Sequence, residues 1–246
     1  MDTTLNYSPN FDIKKRKQKE IKFIVFHYTG MKKEIDAIHR LSNPKSKVSS
    51  HYLIKKSGKI LTLVPDLYIS WHAGLSSWKN YKSINSHSIG IEISNPGHGN
   101  KYDKFNKKQI NSIVKLSKFL IKKYKIKPNF ILGHSDISPD RKRDPGEKFP
   151  WEFLSKKKIG YWHNLDKKKL LSQRNSKIKK KDKANFIKNL YKIGYKKDLN
   201  IKKIENLKIL VSAFQRRFRQ ELINGMIDKE CLVISKNLIK ILDNYS

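Results

Sequence analysis

At 246 residues, with 37% hydrophobic side chains, four Trp, eleven Tyr and eleven Phe, the chain can build one substantial core, or an ordinary domain plus a small second one. Wholesale disorder is excluded. A formal net charge of +34 and a pI near 10.1 favour a polyanionic partner, but Lys far outnumbers Arg and Ile and Asn crowd the chain, so compositional bias accounts for the excess as readily as a binding surface does. No dedicated nucleic-acid partner is expected, because no helix-turn-helix, zinc-finger or RNA-binding signature accompanies the charge.

The single cysteine, Cys231, excludes an internal disulfide framework and an all-cysteine metal cluster, and reads as a small buried apolar residue. If zinc is bound, His and carboxylates must hold it. The first twenty residues have no apolar core and no run reaches membrane-spanning length. These features predict a cytoplasmic protein, with a periplasmic location requiring unconventional export or a mis-set start codon.

Residues 1–19 read as a basic leader. "IKFIVFHYTG" (21–30) is β-branched and aromatic and predicts a buried strand ended at Gly30. "SSHYLIKKSGKILTLVP" (49–65) predicts a hairpin around Lys56-Ser57-Gly58. In "HSIGIEISNPG" (87–97), Ile89, Ile91 and Ile93 face one way and Gly90, Glu92 and Ser94 the other. The segment 104–126 carries Ile110, Ile113, Val114, Ser117, Leu120, Ile121 and Tyr124 at helical spacing. "NFILGHSDI" then predicts a strand, so the first 155 residues read as a mixed α/β domain. Residues 156–183 are lysine-rich and read as a solvated linker. Beyond them three segments with helical periodicity, one striped by Leu207, Leu210, Val211, Phe214 and Phe218, predict a small helical domain over 184–246. The chain has no repeat or low-complexity segment beyond its lysine runs.

The chemistry gathers in "GHSDISPDRKRDPG" (133–146). His27 and His134 end strands, and Asp144 precedes a proline. Two histidines and a carboxylate leave a fourth tetrahedral position of zinc open, as hydrolytic sites require. The spacing alone does not decide, since a histidine in an apolar run is also the ordinary packed kind. A residue before proline favours extended backbone, so Lys142 and Asp144 should project together while Arg141 and Arg143 turn away. A cation beside a metal ligand suits a site where an oxyanion develops; solvated cations are the bland alternative. Glu92 interrupts an isoleucine strand, either as a buried acid that activates water or as an exposed residue on the open sheet face.

"FIVFHYTG", "SSHYLIKKSGKILTLVP", "WHAG" (71–74), "IGIEISNPG" and "GHSDISPDRKRDPG" followed by "FPW" occur in the order seen in zinc-dependent N-acetylmuramoyl-L-alanine amidases of the AmpD/AmiD type, relatives of peptidoglycan recognition proteins. The resemblance covers residues 20–155. It implies a central mixed β-sheet flanked by helices and hydrolysis of the amide joining N-acetylmuramic acid, or its anhydro form, to L-alanine of the stem peptide, in cell-wall turnover or recycling. It also implies His27, His134 and Asp144 as ligands of Zn²⁺, Glu92 as the residue that orients and deprotonates water, and Lys142 as the stabiliser of the tetrahedral oxyanion. His51 and His72 would touch substrate or hold the loop, and Tyr28, Trp71 and Asn95 would line the cleft. His39, His87, His98 and His163 are assigned no role.

"YKIGY" and "VSAFQRRFRQELINGMIDKE" resemble the small three-helix peptidoglycan-binding domain that follows the amidase in AmiD-like enzymes, which would tether the enzyme to glycan. No ligand position is replaced, so a non-catalytic recognition protein is the disfavoured alternative. The partner implied is peptidoglycan or a muropeptide, and the chain is taken as a monomer.

Overall fold

The computed structural model of the protein describes residues 3–196 and 200–244. The ends of the expected leader and helical tail, residues 1–2 and 245–246, and residues 197–199 inside the tail, lie outside the described residues. The first half runs β1 (Thr4–Leu5), β2 (Phe11–Asp12), β3 (Phe23–Tyr28), α1 (Glu34–Ser42), β4 (Tyr52–Ile54), β5 (Ile60–Thr62), β6 (Ile69–Ser70), β7 (Ser77–Trp78), β8 (Tyr81–Lys82) and β9 (Ser88–Ile93). The second runs α2 (Lys107–Tyr124), β10 (Ile131–Gly133), α3 (His134–Ile137), α4 (Trp151–Lys156), α5 (Lys167–Gln173), α6 (Lys180–Ile193), α7 (Ile204–Phe218) and α8 (Lys229–Asp243).

Among the described residues, six strands form the main sheet in the order β1-β5-β4-β9-β3-β10. β3 runs parallel to β9 and β10, β4 parallel to β9 but antiparallel to β5, and β1 parallel to β5. The sheet is therefore mixed, flanked by helices as expected. On one face Ile89, Ile91 and Ile93 are fully buried in the same core as Ile113, Leu116 and Leu120 of α2. Each such side chain contributes roughly 1.5–3 kcal/mol. Asn106 starts α2 with a capping box in which Gln109 is the reciprocal partner.

The alternation of the strands decides where the site lies. Phe23 and Val25 of β3 and Leu132 of β10 point to the second face, and there they join Phe186 and Leu190 of α6 and Leu210, Val211 and Phe214 of α7 in one core. His27 continues the Phe23–Val25 row by strand parity, and the parallel register sets it opposite Glu92 of β9. The C-terminal helices thus cover one end of this face, and the polar pair occupies the other, at the carboxyl ends of β3 and β9. That is where open α/β sheets bind ligands.

Three expectations are corrected. The leader is woven into the fold: β1 pairs with β5, β2 with β6, and Arg16 is buried, donating to the carbonyls of Asp66 and Asn85. Two-residue strands are too short to show a period. The lysine-rich stretch 156–183 carries α5 and the first turn of α6, and Ile159, Tyr161 and Leu170 are buried; these anchors stand singly among lysines and leave no pattern. The tail helices, finally, share the sheet's core rather than closing one of their own. Cys231 is buried, as read.

Candidate active site

His27 lies near the end of β3, and His134 is the first residue of α3, directly after β10. The loop bearing Asp144 is tied back to α3 by the Ser135 N–H, which donates to the Asp144 carbonyl at 2.8 Å. Nδ1 of His27 and Nδ1 of His134 lie 2.9 Å apart, and Oδ2 of Asp144 sits 3.0 and 3.1 Å from them. The three residues are 1%, 3% and 7% exposed. Burial and the neighbouring His134 pull the His27 imidazole down to about 4, so the ring is neutral at neutral pH. Burial works to keep Asp144 protonated, and only protons on the adjacent His134 and His27 nitrogens would hold its carboxyl well below the usual range.

The tautomers follow from the outer partners. Nε2 of His134 lies 3.0 Å from the Ala73 carbonyl, which only accepts, so its Nδ1 carries the lone pair. Ser88 donates its hydroxyl to the Ile84 carbonyl at 2.7 Å and accepts from Nε2 of His72 at 3.0 Å. Nδ1 of His72 must then accept from Nε2 of His27, 3.0 Å away, which leaves the His27 Nδ1 lone pair facing that of His134. Two nitrogen lone pairs and a carboxylate oxygen converging in a dry setting repel one another unless a cation lies between them. Two His and one carboxylate are the donors of a hydrolytic zinc site, so this cluster could hold a metal ion. Gly90 makes the arrangement possible, because a Cβ there would lie 2.4 Å from the His72 ring.

Glu92 and Lys142 line the same cavity as the three ligand candidates, a cleft of about 590 Å³. Oε2 of Glu92 is buried without a hydrogen-bond partner among the described residues. Burial, then the charge of Asp144, pushes the Glu92 carboxyl up to about 8, against the opposing pull of Lys142 and Arg40. Glu92 therefore does not stand on an exposed sheet face: one carboxylate oxygen is buried and the side chain lines the cleft.

Tyr28, Trp71 and His72 line the cleft, and the Trp71 indole donates to Asp12 at 2.8 Å. His51 does not line it. Its Nδ1 accepts from the Gly90 N–H at 3.0 Å and from the Ser70 hydroxyl at 2.7 Å, and its Nε2 lies 3.0 Å from the Tyr68 carbonyl. Asn95 is also buried beneath the surface, donating to the Asp103 carbonyl and accepting from the Gly97 N–H. The expectation that Asn95 lines the cleft is therefore corrected, and of the two roles open to His51 the side chain is placed for the structural one, held by backbone, the Ser70 hydroxyl and the Arg16 guanidinium 2.9 Å away. The alternation assigned to the basic run is corrected too, since Arg141 and Arg143 line the cleft with Lys142. The Arg141 and Lys142 N–H groups both bond the Ser138 carbonyl in a turn, so the extended rule does not reach back to Arg141, whose guanidinium bonds the Leu75 carbonyl. His98, assigned no role, lines the cleft, 2.9 Å from the Tyr28 hydroxyl and 2.9 Å from Glu147. Its place in "NPGHG", a turn following a strand that carries a site residue, is the signal that would have found it.

Residues 17–147 match the family model described as N-acetylmuramoyl-L-alanine amidase. The chain is 35% identical over 232 residues to N-acetylmuramoyl-L-alanine amidase AmiD of Escherichia coli K12, covering 89% of this chain and 83% of AmiD. Among solved structures, Escherichia coli AmiD bound to the substrate anhydro-N-acetylmuramic acid-L-Ala-D-γ-Glu-L-Lys superposes with a TM-score of 0.79 at 33% identity, covering 90% of each chain. AmpDH3 of Pseudomonas aeruginosa, in complex with anhydromuramic pentapeptide, gives 0.80 at 28%, covering 95% of this chain and 97% of that one.

Proposed function

The chain belongs to the N-acetylmuramoyl-L-alanine amidase family, and we propose that it hydrolyses the amide between the lactyl group of N-acetylmuramic acid, or its anhydro form, and L-alanine of the stem peptide. The observation that carries this reading is the convergence of the His27 and His134 Nδ1 atoms with Asp144 in one cleft with Glu92. His27, His134 and Asp144 would hold Zn²⁺, which supplies Lewis acidity to the scissile carbonyl and to the attacking water. Glu92 orients that water and accepts its proton, and then delivers the proton to the departing amine of L-alanine, so that a lactyl carboxylate and a free peptide amine are formed. Burial raises the Glu92 carboxyl toward neutrality in the metal-free site, and a cation beside Asp144 would draw it back toward the ionised form that accepts a proton. Lys142 faces the cleft with its positive charge and stabilises the oxyanion that develops on the carbonyl oxygen. His72 and Ser88 fix the ring of His27 from behind.

Tyr28 and Trp71 offer aromatic faces to the sugar or peptide. The tail, 184–246, is read as peptidoglycan-binding-like, a reading supported by the span of the AmiD match, which reaches far beyond residues 17–147. Among the described residues no helix is long and apolar enough to cross a membrane.

The test is mass spectrometry of purified sacculi and of anhydro-muropeptides after incubation with wild type and Glu92→Ala, zinc present throughout. Free stem peptide from wild type but not from the variant is the expected result, and the better substrate identifies wall cleavage or recycling. Binding of either substrate without release by wild type would replace this reading with recognition alone.

A further inference from the structure

The cleft does not end at the basic loop. A second cavity, of about 660 Å³, shares His98, Arg141, Lys142 and Arg143 with it and runs on to α7, where Lys208, Ser212 and Arg216 line it. Arg141, Lys142, Arg143, Lys208 and Arg216 stand there against Asp140 and Glu147, five cations to two carboxylates, an excess of three positive charges. Glu147 is already engaged by His98. Arg216 is half-buried, and its Nε is buried without a hydrogen-bond partner among the described residues. The Nε of the next residue, Arg217, likewise lacks a partner among the described residues, but its terminal nitrogens are paired with Asp136 and the Ile131 carbonyl. Crowded cations around an unpartnered donor are unfavourable by themselves, and they become favourable when an anion completes them.

The position of the groove selects the anion. It leads away from the catalytic cleft, so a substrate held by its scissile bond extends part of itself into it. Beyond L-alanine, a γ-linked glutamate followed by a terminal residue presents two free carboxylates, while the muramic side presents none that survives amide formation. Resting on the amidase reading above, we propose that this groove is the subsite for the stem-peptide carboxylates, with Arg216 and Lys208 of α7 as specificity-determining contacts. The C-terminal segment thereby forms a wall of the substrate site as well as a lid on the core. Burial lowers the Arg216 pKa, opposed by Glu147 and reinforced by Arg143, which is the electrostatic setting an added carboxylate relieves.

The experiment compares anhydro-muramoyl-L-Ala-γ-D-Glu-L-Lys with its diamide, in which both carboxylates are amidated, on full-length zinc-loaded wild type, Lys208→Ala and Arg216→Gln. Wild type should favour the acid, and each variant should raise KM for the acid about tenfold, the usual scale of one charge-assisted contact, while shifting KM for the diamide less than about threefold. Equal effects on acid and diamide, or no effect from either variant, overturn the proposal. Lys208 is exposed, so its variant keeps the test alive if Arg216→Gln does not fold. If wild type cleaves neither compound, the amidase reading fails on its own. Calorimetry of free L-Ala-γ-D-Glu-L-Lys and its diamide then decides the subsite separately: preference for the acid that Arg216→Gln removes supports it, and equal binding of the two sinks it.

Discussion

Arg217 of α7 closes a 2.5 Å ion pair with Asp136, two residues after His134. Both side chains are about 1% exposed. The other oxygen of Asp136 accepts from the Tyr195 hydroxyl at 2.9 Å, and Arg217 also donates to the carbonyl of Ile131, on the strand that leads into His134. The guanidinium carbon lies 4.4 Å from the centre of the Trp151 ring. The tail is thus bonded to the segment that presents a metal ligand, and its helices bury the apolar end of the face that carries His27.

Removing one partner leaves a buried charge. Asp136→Ala should cost about 3–5 kcal/mol in urea unfolding, whereas replacing both members of the pair by apolar residues of similar size should cost far less. A single-variant loss below about 1 kcal/mol would show that Arg217 finds water or another acceptor. By the same logic, a chain ending at residue 183 should not fold, because Phe23, Val25 and Leu132 lose the helices that cover them. A soluble, cooperatively unfolding 1–183 fragment would refute this.

His72 acts on the ligand cluster from behind, through Nε2 of His27. His72→Ala should weaken zinc binding about 10–100-fold, the usual effect of losing a partner that orients a ligand ring, as read by competition with a chromophoric chelator. Gly90→Ala should do the same by displacing the His72 ring. Unchanged zinc affinity in both variants would mean that packing alone orients His27.

His51 is as buried as the ligands but faces the backbone. His51→Leu strips the Gly90 N–H of its acceptor and should destabilise the protein by about 1–3 kcal/mol while leaving KM for muropeptide near the wild-type value. A raised KM at unchanged stability would return His51 to the substrate side.

Much of this was legible because strands write their faces into the chain. The isoleucine row of β9 announced which side was core, whereas the interruption at Glu92 left the opposite side open between a buried acid and an exposed residue. The motif order carried His27, His134, Asp144 and Lys142, and all four line one cleft. What stayed hidden depends on pairs distant in sequence. Whether His51 or His72 reaches the cleft turns on which neighbouring backbone each can satisfy, and one residue of strand parity or one turn reverses the answer. The burial of Arg16, and the absorption of the tail into the sheet's core, likewise follow from where segments meet rather than from their own composition. Lysine-rich stretches conceal this most, since a single Leu170 among lysines anchors a helix without making a pattern.

Glu92 offers a check that needs no substrate. Folding raises its carboxyl from an ordinary 4.5 to about 8, through burial and the charge of Asp144. Between those two pH values the folded state keeps a proton that the unfolded chain has released, so stability falls as pH rises from about 4.5 and levels off above about 8. Glu92→Gln removes this dependence. In zinc-free protein the variant should match wild type at pH 4.5 and exceed it at pH 9. The full shift sets a ceiling of about 5 kcal/mol, and screening through the open cleft reduces the expected gain to about 1–3 kcal/mol. Urea unfolding at both pH values measures the gap. Zinc should narrow it, because a cation beside Asp144 favours the carboxylate in the same direction as Lys142. A gap equally large at pH 4.5, or one that zinc widens, would show that Glu92 is not held neutral by its surroundings, and its role as the proton-transferring group would lose its electrostatic basis.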